Sequence, residues 1–65
     1  MKIKELKVGS AYDNGSKGKW NSQRTIDKIE GDDVFYTTTG GRDLGKKGKM
    51  KKVSFARWAV REVKM

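Results

Sequence analysis

The sequence predicts a mainly β fold, a small barrel of four to five strands with one short helical turn near the C-terminus. Short runs in which apolar and polar residues alternate are typical of half-buried strands. Glycine-rich connections separate those runs, and one short stretch near residue 55 has apolar residues at helical spacing. The 65 residues are enough for one domain, 1–65, and too few for a second.

The first strand is predicted over residues 5 to 12. Leu6, Val8 and Tyr12 fall on one face of this segment, and charged or small residues fall on the other. Asn14-Gly15 then favours a tight turn, because glycine readily takes positive φ angles. A polar loop follows this turn.

A β-hairpin is predicted from Arg24 to Thr39. Ile26 and Ile29 have opposite parity, so a bulge between them is needed to turn both towards the core. The second arm is rich in β-branched and aromatic residues, which favour strands. Phe35 and Tyr36 must lie on opposite faces of this arm, and one of the two is a candidate for an exposed binding face.

The C-terminal third predicts a fourth strand over Met50 to Val53, followed by one or two helical turns. Ser54 is the expected N-cap, because its hydroxyl can accept a free backbone N–H. Phe55 and Trp58 follow at helical spacing, so both are assigned to the core. Residues 60–64 are either the end of this helix or a closing strand.

This order of elements resembles the SH3-like barrel. In that fold a long irregular loop follows the first strand, a hairpin comes next, and a helical turn precedes the last strand; here these would be 13–19, 24–39 and 54–59. The segment 14–20, with the apolar residues that follow it, is also similar in part to the KOW motif of ribosomal and transcription-associated barrels. The resemblance implies that a Gly and Lys loop contacts RNA or partner proteins.

Composition excludes most catalytic chemistry. The chain has no Cys and no His, so it has no disulfide, thiolate metal site, cysteine nucleophile or imidazole base. Asp32 and Asp33 are adjacent on a turn and diverge, and the lysines at 46 and 47 lack the Ser or Thr that ends a P-loop. We therefore expect no enzymatic activity, cofactor or metal. No apolar run is long enough to span a membrane and no signal peptide is recognisable, so a cytoplasmic protein is expected.

Net charge is the strongest functional signal. The formal charge is +8, and residues 40–52 alone carry +5. Lysines that replace condensed counterions bind phosphate backbones, and the basic Gly and Lys loops, 15–19 and 40–52, are expected to do so here. The leading hypothesis is therefore a non-enzymatic nucleic-acid-binding protein, for DNA or RNA. The residues expected to neutralise phosphates are Lys17, Lys19, Lys46, Lys47, Lys49, Lys51 and Lys52.

Three further residues complete the predicted nucleic-acid site. Arg24 and Arg42 are expected to orient the strand. Trp20 is either a core residue, which is the favoured interpretation, or a ring on which a base stacks.

A protein-interaction module is the alternative. On this interpretation a small phage-type or accessory factor, acting as an inhibitor or modulator, docks its basic surface on an acidic face of a host enzyme or nucleoprotein complex. Neither hypothesis involves a membrane or a small-molecule substrate.

Overall fold

One antiparallel sheet organises the chain in the computed structural model, which describes residues 1–16, 21–41 and 43–63. A 3-10 turn at Ile3–Glu5 comes before the first strand, and helix α1 (Lys52–Trp58) connects the last two strands. The prediction of a mainly β fold with one helical turn near the C-terminus is therefore confirmed. The strands, in chain order, are β1 (Ala11–Asp13), β2 (Ser22–Glu30), β3 (Asp33–Gly41), β4 (Lys47–Lys51) and β5 (Arg61–Val63).

The sheet is open. Its spatial order is β4-β3-β2-β1-β5, and within the described ranges its two edge strands, β4 and β5, do not pair with each other. The predicted closure into a barrel is thus not observed. In chain order, the described elements are a short first strand, the β2–β3 hairpin, a fourth strand, helix α1 and a final strand.

The β2–β3 hairpin contains the predicted bulge. Ile26 pairs with Tyr36 and Lys28 pairs with Phe35, so the register shifts between the two pairs. This shift turns Ile26 and Ile29 to the same side: Ile26 is fully buried and Ile29 packs against the core. The extra residue is the one that the opposite parity of the two isoleucines required.

Phe55 of α1 is the centre of the core. Its ring is fully buried and meets the Tyr12 ring edge-on, with centroids 5.8 Å apart and an interplanar angle of 89°. It also lies 6.0 Å from the Tyr36 ring and 5.3 Å from the Trp58 ring. We call the sheet face that α1 covers the inner face, and the opposite one the outer face. The other buried apolar residues are Leu6, Ile26, Val34, Ala56 and Ala59.

The first strand is much shorter than predicted. Only Ala11–Asp13 is a strand, because the preceding residues fold back over Tyr12. The Tyr12 hydroxyl accepts a hydrogen bond from the Lys7 N–H (2.9 Å) and donates one to the Glu5 carbonyl (3.0 Å). Val8 is consequently 59% exposed rather than on the core side.

Helix α1 also begins differently from the prediction. It starts at Lys52, so Ser54 lies inside the helix and is not its N-cap. The Lys52 N–H instead donates to the Asp32 carbonyl in the β2–β3 turn, at 2.7 Å. A backbone group from the hairpin therefore satisfies one of the N–H groups that have no partner within the helix, and no side chain caps the helix at Lys51. Of the two alternatives for the segment that follows, the closing strand is confirmed as β5.

An ion pair joins β1 to β5. Arg61 Nε donates to both carboxylate oxygens of Asp13, at 3.1 and 2.8 Å, and the Gly15 N–H donates to Oδ1. Burial alone would raise the pKa of Asp13, but these hydrogen bonds and the charge of Arg61 outweigh it and hold that pKa below its usual value. The pair fixes the beginning of the β1–β2 loop against the last strand.

This lowered pKa predicts a pH-dependent contribution to stability. The ionised pair stabilises the fold fully above the unfolded-state pKa of about 3.9, and its contribution is lost as the pH falls through the lower folded-state pKa. We expect Asp13→Asn to lose about 1 to 2 kcal/mol near pH 7, because a charged hydrogen bond is removed. Urea unfolding near pH 7 and near pH 3 gives the free energy of unfolding of variant and wild type. The difference between the two proteins should shrink in acid, and a difference that widens contradicts the account.

Replacement of Phe55 tests the core. Phe55→Ala should cost about 3 to 5 kcal/mol, because a fully buried ring with three aromatic neighbours is removed. Val53→Ala is the matched control in the same helix, since Val53 is 48% exposed, and it should change the free energy of unfolding by less than about 0.5 kcal/mol. Thermal unfolding followed by circular dichroism compares the two. Equal melting temperatures would show that Phe55 is not the centre of the core.

Candidate nucleic-acid interface

The basic run of the sequence forms an edge strand rather than a loop. Within β4, Gly48 and Met50 face inwards: Met50 packs against the core, and a Cβ on Gly48 would lie 2.6 Å from the Tyr36 hydroxyl oxygen. A side chain at Gly48 would therefore have to displace the end of the Tyr36 ring, and glycine avoids this contact. The intervening exposed residues project from the outer face and form what we call the lysine row: Lys47, Lys49 and Lys51.

Regular strand geometry fixes the spacing of the lysine row. Alternate residues of a strand lie roughly 6.6 Å apart along its axis and point to the same side. The lysine backbones are held by pairing with β3, in which Thr37, Phe35 and Asp33 face the three lysines in turn. The row is thus a preformed line of positive charge with mobile side-chain ends.

Carboxylates neutralise part of this face. Lys51 Nζ lies 3.1 Å from Asp33, and Lys28 Nζ lies 2.6 Å from Glu30. Ion pairs of exposed side chains contribute little to stability, and both lysines and Glu30 are exposed, so phosphates can compete for these lysines. Asp27 also lies here and accepts a hydrogen bond from the Thr37 hydroxyl at 2.6 Å.

Two lysines of the row are uncompensated. In the described part of the chain, no carboxylate lies within ion-pair distance of Lys47 or Lys49. Both side chains are exposed, and they are consecutive members of the row. They are therefore the two positions of the outer face with the most available positive charge.

Phe35 lies beside the lysine row on the outer face. It is half-buried, and the residues opposite it on the two neighbouring strands are both lysines. The ammonium nitrogens of Lys28 and Lys49 lie 4.7 and 5.8 Å from its ring centroid, at cation–π distance. Sequence reasoning did not include Lys28 in the site. The predicted bulge offered a signal, because shifting the register by one residue brings Lys28 opposite Phe35.

Arg24 lies on the opposite side of the sheet from the lysine row. Its guanidinium carbon is 4.7 Å from the centroid of the Tyr36 ring and 4.3 Å from that of Trp58, and Nη1 contacts the Met50 sulfur at 3.5 Å. Its Nε is buried and has no hydrogen-bond partner. Aromatic rings rather than a carboxylate stabilise this charge. The guanidinium covers these two rings on the inner face. Trp58 is half-buried and packs against the core, as predicted.

The remaining predicted site residues are dispersed or lie outside the described ranges. Lys46 is in the turn before β4, 3.6 Å from Asp43, and Lys52 is the first residue of α1. The structure thus groups Lys47, Lys49 and Lys51 with Phe35 and Lys28, and leaves Arg24 and Lys52 elsewhere. The predicted residues outside the described part of the chain are Lys17, Lys19, Trp20 and Arg42.

The described residues offer neither a metal-ion cluster nor a membrane-spanning segment. Across them, no three acidic side chains converge as a metal site would need, and no helix has the length and hydrophobicity to cross a bilayer. No protein-family model, curated protein or solved structure matches the chain. What can be said about its function therefore rests on the geometry of the outer face.

Proposed function

We propose that the chain is a non-enzymatic nucleic-acid-binding protein that contacts the phosphate backbone with the outer face of its sheet. The observation that carries the proposal is the pair of uncompensated lysines, Lys47 and Lys49, held in register on β4 beside Phe35. Lys28 and Lys51 extend the positive surface on either side, with carboxylate partners that a phosphate can replace.

Counterion release supplies the driving force. A nucleic acid holds a layer of condensed cations. Each lysine that replaces one of these cations releases it into solution, and the entropy of this release favours binding. A net charge of +8 also speeds the encounter with a polyanion. Contacts of this kind position a strand without reading its sequence, because lysine ends reach phosphates and not base edges.

The double change Lys47→Gln with Lys49→Gln tests the lysine row. Glutamine is slightly shorter than lysine but is also polar and flexible, and the change leaves the core untouched, so the free energy of unfolding should change by less than about 1 kcal/mol. Affinity for a DNA duplex should fall, and the slope of log K against log salt should become shallower by about 1.8, since each contact contributes about 0.9. Fluorescence anisotropy over a salt series measures both.

A matched control separates the row from net charge. Lys7→Gln with Arg57→Gln also removes two charges from exposed positions, but these flank the inner side of the sheet, where Tyr12 and α1 lie. The control should keep most of the wild-type slope. A control that weakens binding more than the row variant would move the interface to the α1 side.

The alternative of an acidic protein partner gives a different result. A complex with nucleic acid is lost after nuclease digestion, whereas a complex with a protein keeps its stoichiometric partner. Suppose that the wild type shows no salt-sensitive binding to nucleic acid and keeps such a partner after digestion. The proposal would then be wrong, and the protein would be an inhibitor or modulator that docks on an acidic protein face.

A further inference from the structure

On the outer face of β3 and β4, Phe35 is the exception in composition. The other described outward residues of β3 and β4 are threonine, aspartate, glycine and lysine, whereas the large apolar side chains of these strands, at Val34, Tyr36 and Met50, face the core. Phe35 is neither a member of the buried core nor one of the side chains that pack against it. A half-buried ring among lysines on a solvent-facing sheet is what a protein requires if it stacks unpaired bases.

The inner aromatic rings are already occupied. Tyr36 and Trp58 are covered by the Arg24 guanidinium, and both of them, with Tyr12, pack against Phe55. Among the described residues Phe35 is therefore the aromatic side chain whose contacts are exposed lysines rather than other rings. Lysine side chains move aside at little cost, because each ammonium exchanges a weak cation–π contact for a phosphate.

We propose that Phe35 is a stacking platform for an unpaired base, so that the preferred ligand is single-stranded nucleic acid, with Lys28 and Lys49 holding the phosphates on either side of the stacked base. This inference rests on the proposed function and specifies its substrate class. A duplex keeps its base faces stacked inside the helix, so it can use the lysines but not the ring. A single strand can use both, and the ring contributes to affinity only there.

Phe35→Leu separates the two contributions. Leucine keeps an apolar contact for the lysine stems but has no ring, and affinity for a short oligothymidylate should fall about 5- to 150-fold, as expected for the loss of one stacked base. Affinity for a duplex of the same length should stay within about twofold. The salt slope should not change on either ligand, because no charge is removed. Val8→Ala is the control for an exposed apolar side chain outside β3 and β4, with no effect on either ligand expected.

Phe35→Trp is the second variant, and it keeps the test decisive if leucine unfolds the protein. A larger ring stacks at least as well, so single-strand affinity should be retained or raised. Lys49→Gln should instead weaken both ligands and make the single-strand slope shallower by about 0.7. Oligothymidylate and oligouridylate arms show whether DNA or RNA is the better ligand.

The outcomes distinguish the two proposals. Equal losses on single strand and duplex for Phe35→Leu, or no loss on either, would overturn the stacking role and leave the lysine row standing. Reduced single-strand binding by Phe35→Trp would also overturn it. If the wild type binds neither ligand at low salt, both the proposed function and the stacking role are wrong.

Discussion

The packing of Phe55 against the sheet is the interaction on which the rest of the structure depends. Its ring joins α1 to β1 through Tyr12 and to β3 through Tyr36, two strands that β2 separates in the sheet. A chain of this size buries only about 60% of the surface that it exposes when unfolded, so it has few large side chains to spare. Concentrating these aromatic residues around one helix closes the inner face, and the core that results includes neither Phe35 nor the lysines of β4.

This division of the sheet determines which basic side chains are exposed together on one face. Arg24 is a basic residue in sequence, yet its guanidinium is a packing group between Tyr36 and Trp58. The lysines of β4 are exposed instead, because Gly48 and Met50 take the inward positions of that strand and the lysines take the outward ones. Net charge alone does not show which basic side chains share a surface. Side chains alternate between the two faces along a strand, and this alternation decides on which face each cation lies.

Sequence reasoning predicted the features that depend on local pattern. The hairpin and its bulge followed from the parity of Ile26 and Ile29, and the fold class followed from several such runs. It missed the features fixed by distant partners: the Tyr12 hydroxyl reorganises the N-terminal segment, and the Asp32 carbonyl begins α1 in place of a serine cap. The sequence showed that lysines are concentrated in residues 46–52. Their arrangement in a row depends on the pairing of β4 with β3, and the local sequence does not show that pairing. Phe35 was one of two candidates for an exposed binding face, and the packing of Tyr36 against the core leaves Phe35 on the opposite side of the strand.

The most direct test of the central claim, that nucleic acid binds the outer face around Phe35, is a titration of the protein with a single-stranded oligonucleotide, followed by NMR of the aromatic ring protons. Stacking of a base should shift the Phe35 ring protons upfield, with accompanying changes at the side chains of Lys28, Lys47 and Lys49. The rings of Tyr36 and Trp58, on the inner face and covered by Arg24, should stay unchanged. Shifts at the inner rings with none at Phe35 would contradict the account.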